Sequence, residues 1–323
     1  MKKIKRIDLC KCTPFLDIIR EHLHSYSNWG ADYSVTDLIS SPQIVQLRKR
    51  YTKEIEQNRI RQFNKEPVKV ISQLLPSIRG TAIHNLFEYY ITRILNRQDN
   101  SDYYVERRVW DRIEDRKISG KFDVYYQRII IDYKTTSVWK VILADIDDWI
   151  GQQNIYAYFL REAGLKVAHL RIFAWYMDWD KYRAMRESDY PQSEIEYLEI
   201  PLWDKKQQLD YLVSRIKLHK QNEQRPDNEL DPCTPQEMWE KQSKWKVFRT
   251  VPNPSKKALR VFNSEQEAKI WIDKHKKKNQ KYEIRFVPGE RTRCKYYCSV
   301  NVFCHQYKKY REMLCEKNKK EKI

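Results

Sequence analysis

Residues 119–135 read Ser-Gly-Lys-Phe-Asp-Val-Tyr-Tyr-Gln-Arg-Ile-Ile-Ile-Asp-Tyr-Lys-Thr. This pattern predicts two β-strands joined by a two-residue loop at Gln127 and Arg128, so that Tyr126 lies opposite Ile129. Gln-Arg is not one of the favoured sequences for such a loop, so the register is a hypothesis.

The predicted register brings two acidic side chains together. Asp123 lies opposite Asp132, and directly opposed residues share a face with Cβ atoms about 5 Å apart. Two opposed carboxylates repel each other unless a cation lies between them, and Mg²⁺ or Mn²⁺ takes oxygen ligands of this kind. Lys134 shares the same face and could hold or deprotonate an attacking water, or stabilise the charge on a phosphorane. The alternative is that Asp132 and Lys134 are ordinary residues of a strand surface.

The remaining elements predict an α/β protein with a mixed sheet. The predicted helices span 15–24, 34–38 (with Ser34 or Thr36 as N-cap), 43–57, 80–96, 146–163 and 201–220. The predicted strands of this part span 103–109, 119–126, 128–135 and 169–176. After a polar linker at 222–231, a small α+β module is predicted from strands at 245–249, 258–262 and 282–287 and a helix at 264–274.

Polar side chains on two predicted helices can reach the acidic pair. His84 and Glu88 are four residues apart and share one helical face, from which His84 could supply a third metal ligand; a histidine packed between helix and sheet is the alternative. Gln152 and Tyr156 likewise share a face and can hydrogen-bond to a phosphate or a base, or else they are a polar cluster with a core tyrosine. Glu106 either lines the same cleft or pairs with an adjacent arginine.

Composition excludes several classes of protein. The chain has 323 residues, 41% of them hydrophobic, so it can bury a core and is not globally disordered. It has 6 glycines and neither a G-x-x-x-x-G-K-[ST] nor a G-x-G-x-x-G motif, which excludes those nucleotide-binding loops. No apolar run reaches the roughly 18 residues of a membrane span, and we see no secretory signal, so we expect a cytoplasmic protein.

A net charge of +18 favours nucleic acid as partner, although solvated lysine-rich faces would give the same charge.

The polar residues form an ordered series of motifs. In chain order they are Gly80 with His84, Gly120 with Asp123, Asp132-Tyr133-Lys134, and Gln152 with Tyr156. This series resembles the G-x-x-x-H, acidic, D-x-K and Q-x-x-x-Y motifs of the PD-(D/E)XK nuclease superfamily, in its RecB-like exonuclease branch. Each motif is weak by itself, but four in this order and spacing over residues 80–158 are specific.

The resemblance implies a restriction-endonuclease-like mixed sheet flanked by helices, and a DNA exonuclease that hydrolyses phosphodiester bonds with Mg²⁺ or Mn²⁺. The expected substrate is single-stranded or end-bearing DNA, in recombination, repair or phage DNA processing. The metal ligands that it implies are His84, Asp123 and Asp132, and we expect the backbone carbonyl of Tyr133 to be an extra ligand. The other site residues that it implies are the catalytic Lys134 and, on the substrate side, Gln152 and Tyr156.

The expected partner is DNA. Basic residues of the 43–53 segment, together with Tyr156 and neighbouring aromatic residues, are expected to track a strand by phosphate contact and stacking. Because the chain has no motor motif, it either works unaided on frayed ends or acts with a helicase or recombination partner. The alternative from another class is a catalytically inactive nucleic-acid-binding or assembly protein with a structural Zn or Fe–S site.

Seven cysteines in a chain expected to be cytoplasmic argue against a disulfide framework. Cys294, Cys298 and Cys304 form a C-x₃-C-x₅-C pattern, in which three thiols can converge on one metal centre. Cys233, flanked by prolines, is the predicted fourth ligand. The rivals for that place are Cys10 and Cys12. Zn²⁺ and [4Fe–4S] both accept four thiolates, and buried free cysteines are the remaining interpretation.

Several RecB-like nucleases resemble this chain in carrying a cysteine trio after the nuclease core and one distant cysteine, which together hold [4Fe–4S]. They include AddB-type subunits and the four-cysteine nucleases of CRISPR adaptation, and the latter imply 5′ to 3′ polarity. Their first gap is usually C-x₂-C, one residue shorter than here. The resemblance therefore implies a structural [4Fe–4S] cluster, with Zn²⁺ as the alternative. The expected organisation is an N-terminal helical region (1–79), a nuclease core (80–221), a linker with an α+β module (222–290), and a cysteine-cluster segment with a basic tail (291–323).

Overall fold

The computed structural model of the protein describes residues 30–97, 103–277 and 279–320. The chain divides into two units, one ending at Asp231 and the other beginning at Pro232. The helix predicted at 15–24 and the rival ligands Cys10 and Cys12 lie outside the described residues. Within the described ranges, no helix has the length and apolar character that crossing a membrane requires.

The first unit alternates helices and strands. Its elements are β1 (Tyr33–Ser34), α1 (Val35–Leu38), α2 (Pro42–Arg50), α3 (Thr52–Lys65), α4 (Pro67–Arg97), β2 (Tyr103–Val105), β3 (Arg108–Ile113), β4 (Arg116–Lys121), β5 (Val124–Tyr126), β6 (Ile129–Thr136), α5 (Val138–Ile142), α6 (Asp147–Glu162), β7 (His169–Tyr176), α7 (Lys181–Ala184), β8 (Ile195–Ile200) and α8 (Lys205–Glu223).

Two sheets form in this unit. Five strands in the order β2-β5-β6-β7-β8 make a mixed sheet, in which β6 and β7 run parallel and the other neighbours antiparallel. The second sheet has the order β1-β4-β3. Helix α6 packs on strands of both sheets and on α8, and its residues from Gly151 to Leu160 are buried. The α/β class with a mixed sheet, predicted from the sequence, is confirmed.

Two segments that were each predicted as one strand are each two strands, and the two interruptions lie next to each other. The segment predicted as one strand at 103–109 is β2 and β3, and the segment predicted at 119–126 is β4 and β5. In each case one half belongs to one sheet and one half to the other. Glu106 has φ of 49°, and its N–H donates to the Asp123 carbonyl at 2.7 Å. The chain therefore changes sheets twice at one corner, and that corner carries two acidic residues.

The predicted helices match the observed ones in position more often than in length. The helix at 146–163 and the strand at 169–176 are confirmed as α6 and β7, and Ser34 is confirmed as an N-cap that accepts from the Asp37 N–H. The helix predicted at 43–57 is instead α2 and α3, separated at Tyr51, whose hydroxyl donates to Asp227 at 2.5 Å. Helix α4 begins well before Gly80, and strand β8 was not predicted.

The second unit contains the predicted α+β module. Its elements are β9 (Glu240–Lys241), β10 (Lys244–Val251), β11 (Arg260–Phe262), α9 (Glu265–His275), β12 (Lys281–Val287), β13 (Glu290–Arg291), α10 (Thr292–Tyr296) and α11 (His305–Lys320). Strands β11-β10-β12 form an antiparallel sheet against which α9 packs. Ser264 caps α9 by accepting from the Glu267 N–H.

Candidate active site

The hairpin between β5 and β6 has the predicted register. Tyr126 pairs with Ile129, and the ladder continues to the Val124–Ile131 pair. Both residues of the connecting loop have positive φ, 48° and 66°, which is the twist that a two-residue hairpin turn needs. The next positions beyond the ladder are the two aspartates.

Asp123 and Asp132 are both buried, with 6% and 2% of their surface exposed. The Tyr133 N–H donates to Asp123 Oδ2 at 2.7 Å, which holds the Asp123 carboxylate at the side of β6. Burial raises the pKa of Asp123 to about 7, and the neighbouring charge of Asp132 adds to the rise. The two carboxylates therefore repel each other, and the site favours a bound proton or cation.

A histidine and a third carboxylate complete a potential metal site. His84 Nδ1 lies 3.4 Å from Asp123 Oδ2 and 3.7 Å from Glu106 Oε1. One ligand atom from each of these three residues lies within 4.8 Å of the other two. His84 Nε2 is 2.9 Å from the Tyr133 carbonyl. If Nε2 carries the proton and donates it there, the Nδ1 lone pair faces the carboxylates, as a metal-ligating histidine requires.

The charges at this cluster balance one another. The hydrogen bond to Glu106 raises the pKa of His84 and burial opposes that rise, while the charges of Asp123 and Asp132 add to it. Burial raises the pKa of Glu106, but His84 and Lys121 outweigh burial and hold that pKa below its ordinary value. A proton on His84 would therefore offset part of the negative charge of the acidic cluster. A divalent cation would replace that proton.

The side chains that converge here differ in part from the predicted ligand set. His84 and Asp123 meet as expected, whereas Glu106 takes the third place and Asp132 Oδ2 is ion-paired with Lys134 Nζ at 2.6 Å. The Tyr133 carbonyl lies at the site, engaged with His84. The sequence predicts Glu106 near the cleft but not as a metal ligand, because its approach to His84 depends on the two strand breaks.

Lys134 is held as a cation. Its Nζ contacts Asp132 and donates to Gln152 Oε1 at 2.9 Å. Burial lowers the pKa of Lys134, but the charges of Asp132 and Asp123 outweigh burial and raise that pKa above its ordinary value. Of the three roles predicted from the sequence, holding a water and stabilising negative charge suit this ammonium, whereas deprotonating a water does not.

Gln152 and Tyr156 lie behind Lys134. The Gln152 amide is 3.5 Å from the Tyr156 hydroxyl, which donates to the Lys121 carbonyl at 3.0 Å. Tyr156 is only 3% exposed, so the expectation that its ring stacks on a base is wrong. A Cβ on Gly120 would lie 2.5 Å from Tyr156 Cε1, which explains the glycine. Gln152 therefore positions the Lys134 ammonium, and Tyr156 holds the backbone at Lys121.

Basic residues of the 43–53 segment form hydrogen bonds and ion pairs with other residues of the first unit. Arg48, Lys49 and Arg50 each contact acceptors within the protein. Their partners are the Asp37 carboxylate for Arg48, the Asp32 carbonyl for Lys49 and the Asp227 carboxylate for Arg50. A nucleic-acid strand that contacted these three side chains would have to compete with their partners within the protein.

The predicted cysteine ligands lie in the second unit. Cys233, Cys294 and Cys304 are buried and Cys298 is partly buried. Burial raises the pKa of Cys294 to about 11, and the sulfur atoms of Cys298 and Cys304 add to the rise. Burial also raises the pKa of Cys304, although two backbone N–H groups that donate to its sulfur oppose the shift. Thiolates are unfavourable here unless a metal compensates them.

Gln306 links Cys233 to the trio. Its side-chain amide accepts from the Cys233 N–H at 3.0 Å and donates to the Cys233 carbonyl at 2.9 Å. Its own N–H donates to the Cys304 sulfur. Among the described residues, no three cysteine sulfur atoms lie within 4.8 Å of one another.

Comparisons with known proteins identify no family. No protein-family model matches the chain, and no curated protein matches it. Among solved structures, the chain is similar to the crystal structure of SSO0001, at 18% identity and a TM-score of 0.38, over 64% of this chain and 86% of that chain. The α/β class therefore rests on the strands and helices themselves.

Proposed function

We propose that the chain is a metal-dependent deoxyribonuclease that degrades single-stranded or end-bearing DNA. Its first unit would have a restriction-endonuclease-like core of the PD-(D/E)XK type. The observation that carries this proposal is the pair of buried carboxylates, Asp123 and Asp132, with the Lys134 ammonium 2.6 Å from Asp132. Burying two like charges side by side costs stability, and such arrangements are typical of functional sites.

The donor set fits a divalent cation. Asp123, Glu106 and His84 Nδ1 already converge, and carboxylate oxygens are the ligands that Mg²⁺ and Mn²⁺ prefer. Asp132 would join them by exchanging its contact with Lys134 for the metal. When bound, the metal would lower the pKa of a coordinated water and neutralise charge on the scissile phosphate.

The surrounding side chains have separate roles in this proposal. Lys134 orients the attacking water and stabilises charge that develops on the phosphate. Gln152 keeps the lysine in place through its 2.9 Å hydrogen bond. His84 is tied to β6 by the Tyr133 carbonyl, which keeps its second nitrogen pointing at the carboxylates. The reaction needs no nucleotide cofactor, so a helicase or recombination partner would serve only to supply ends.

A nuclease assay tests the proposal. The protein, purified anaerobically, is mixed with end-labelled single strands and blunt duplexes in Mg²⁺, Mn²⁺ or EDTA. Asp132→Asn and Lys134→Ala are expected to lose at least about a hundredfold in cleavage rate while still binding DNA. Asp210→Asn is the control, because its carboxylate is exposed and 3.9 Å from Lys206.

Two results would contradict the proposal. Cleavage that persists in both site variants would place the chemistry elsewhere. DNA binding by the parent chain without any metal-dependent cleavage would favour the inactive nucleic-acid-binding protein instead.

We infer a second metal centre, a [4Fe–4S] cluster with structural function, held by Cys233, Cys294, Cys298 and Cys304. The N–H groups aimed at the Cys304 sulfur support it, since such hydrogen bonds stabilise cluster thiolates. Anaerobically purified protein should be brown with broad visible absorbance, and Cys298→Ala should remove the colour. Colourless protein that contains stoichiometric zinc would assign Zn²⁺ to the site instead.

A further inference from the structure

One face of the β3–β4 hairpin is basic along its whole length. The ladder pairs Arg108 with Lys121, Trp110 with Ser119 and Arg112 with Lys117. Paired and alternate residues of an antiparallel hairpin point to the same side. The opposite side faces the core, where Ile118 is fully buried. We call the five side chains Arg108, Trp110, Arg112, Lys117 and Lys121 the basic face.

The basic face sets like charges against each other. Arg108 lies opposite Lys121, and Arg112 lies opposite Lys117, and directly opposed like charges destabilise a pair of strands. The acidic residues of the β3–β4 turn lie near lysines of α8: Glu114 is 3.9 Å from Lys217, and Asp115 is 3.0 Å from Lys220. Glu106 compensates Lys121, whereas the Arg112–Lys117 pair is understandable if a ligand of opposite charge binds there.

Trp110 gives the basic face an aromatic surface. It is 40% exposed, with Lys117 Nζ 4.4 Å and the Arg108 guanidinium 5.8 Å from the indole centre. These cations hold the ring among groups that bind phosphate. Interleaved cations and an exposed aromatic ring are the combination that binds single-stranded nucleic acid, since bases stack on the ring while phosphates contact the cations.

The basic face is continuous with the candidate active site. Lys121 lies at the end of the basic face and forms an ion pair with Glu106 of the candidate metal site. The Lys121 carbonyl accepts a hydrogen bond from the Tyr156 hydroxyl. Asp123 follows two residues later. From Arg108 to Arg112 the strand extends about 14 Å away from this point, at roughly 3.4 Å per residue.

We propose that the basic face binds the nucleic-acid strand whose end enters the active site, and that Trp110 stacks on one of its bases. Binding of nucleic acid is inferred from the hairpin alone. The direction of the bound nucleic-acid strand, with its end towards Asp123, rests on the proposed nuclease function. Because stacking on Trp110 needs unpaired bases, the inference specifies a single strand rather than a duplex.

The test measures binding without cleavage. Fluorescence anisotropy of labelled single strands and blunt duplexes is recorded with the full chain in EDTA. Trp110→Ala should weaken single-strand binding by roughly tenfold, and Trp110→Phe should restore most of it. Trp139→Ala is the matched control, because Trp139 is also 40% exposed and lies 4.6 Å from the Arg183 guanidinium; it should bind like the parent.

Salt dependence separates phosphate contact from stacking. Arg112→Gln should lower the slope of log affinity against log salt by about 0.7 on a single strand, whereas Trp110→Ala should leave the slope unchanged. Arg186→Gln, an exposed arginine of the α7 region, should leave both affinity and slope unchanged.

The outcomes distinguish this inference from the proposed function. If Trp110→Ala binds single strands as the parent does while Asp132→Asn has lost cleavage, the basic face is refuted and the nuclease stands. If Trp110→Ala loses binding in a chain that never cleaves DNA, the basic face stands and the nuclease fails. If Trp110→Ala loses as much affinity for duplex DNA, or for polyglutamate, as for single strands, the assignment of a single strand is refuted.

Discussion

Replacing Asp123 with asparagine should stabilise the metal-free protein at alkaline pH. The asparagine side chain is nearly the same size as that of aspartate, and its oxygen can still accept from the Tyr133 N–H, now 2.7 Å from Asp123 Oδ2. The substitution removes only the charge that burial and Asp132 make unfavourable. Its effect on stability should therefore depend on pH.

The structure gives both the sign and the size of this effect. Burial and Asp132 raise the pKa of Asp123 from 3.8 to about 7 in the folded protein. Since the folded value lies above the unfolded value, the stability contributed by this carboxyl is complete below about pH 4 and is lost as the pH rises through 7. A shift of this size corresponds to roughly 4 kcal/mol at about 1.36 kcal/mol per pH unit.

Urea denaturation at pH 5 and pH 8, in EDTA and in Mn²⁺, measures the effect. In EDTA, Asp123→Asn should be more stable than the parent by about 2 kcal/mol at pH 5 and by about 4 kcal/mol at pH 8. Mn²⁺ at pH 8 should stabilise the parent, by about 2.7 kcal/mol at a hundredfold excess over Kd, and leave the variant unchanged. A variant that is less stable than the parent at both pH values would refute the reasoning.

Three further predictions follow from other parts of the first unit. Burial lowers the pKa of His219 to about 4, so the stability of the parent relative to His219→Gln should fall by up to roughly 3 kcal/mol between pH 6.5 and 4, as urea denaturation of both proteins would show. Replacing Gln127 and Arg128, both at positive φ, with Asn and Gly should raise the unfolding free energy by about 1 kcal/mol, as thermal denaturation would show. Gly120→Ala should cost about 1–3 kcal/mol in the same measurement, because its Cβ would lie 2.5 Å from Tyr156 Cε1.

Local patterns predicted the hairpin well. The spacing of residues 119–135 predicts the Tyr126–Ile129 register, and the structure confirms it. The same register explains why Asp123 and Asp132 meet. The extent of α6 and β7 also follows from local patterns, because their apolar residues repeat with helical or strand spacing.

What the sequence did not predict depends on contacts between distant segments. The breaks at Glu106 and Asp123 arise where the chain passes from one sheet to the other. No sequence pattern near these two residues predicts the breaks. The burial of Tyr156 depends on the glycine opposite it, and the ion pairs of the 43–53 segment involve residues such as Asp227 that lie far along the chain. Glu106 is a candidate ligand only because those breaks bring it to His84 and Asp123.

Binding of Mn²⁺, measured by electron paramagnetic resonance at pH 8, tests most directly whether the acidic corner holds a cation. The account predicts saturable uptake by the parent and by Asp210→Asn, and loss of that uptake in Asp123→Asn and Glu106→Gln. Absence of Mn²⁺ uptake by the parent, or equal uptake by all four proteins, would contradict it.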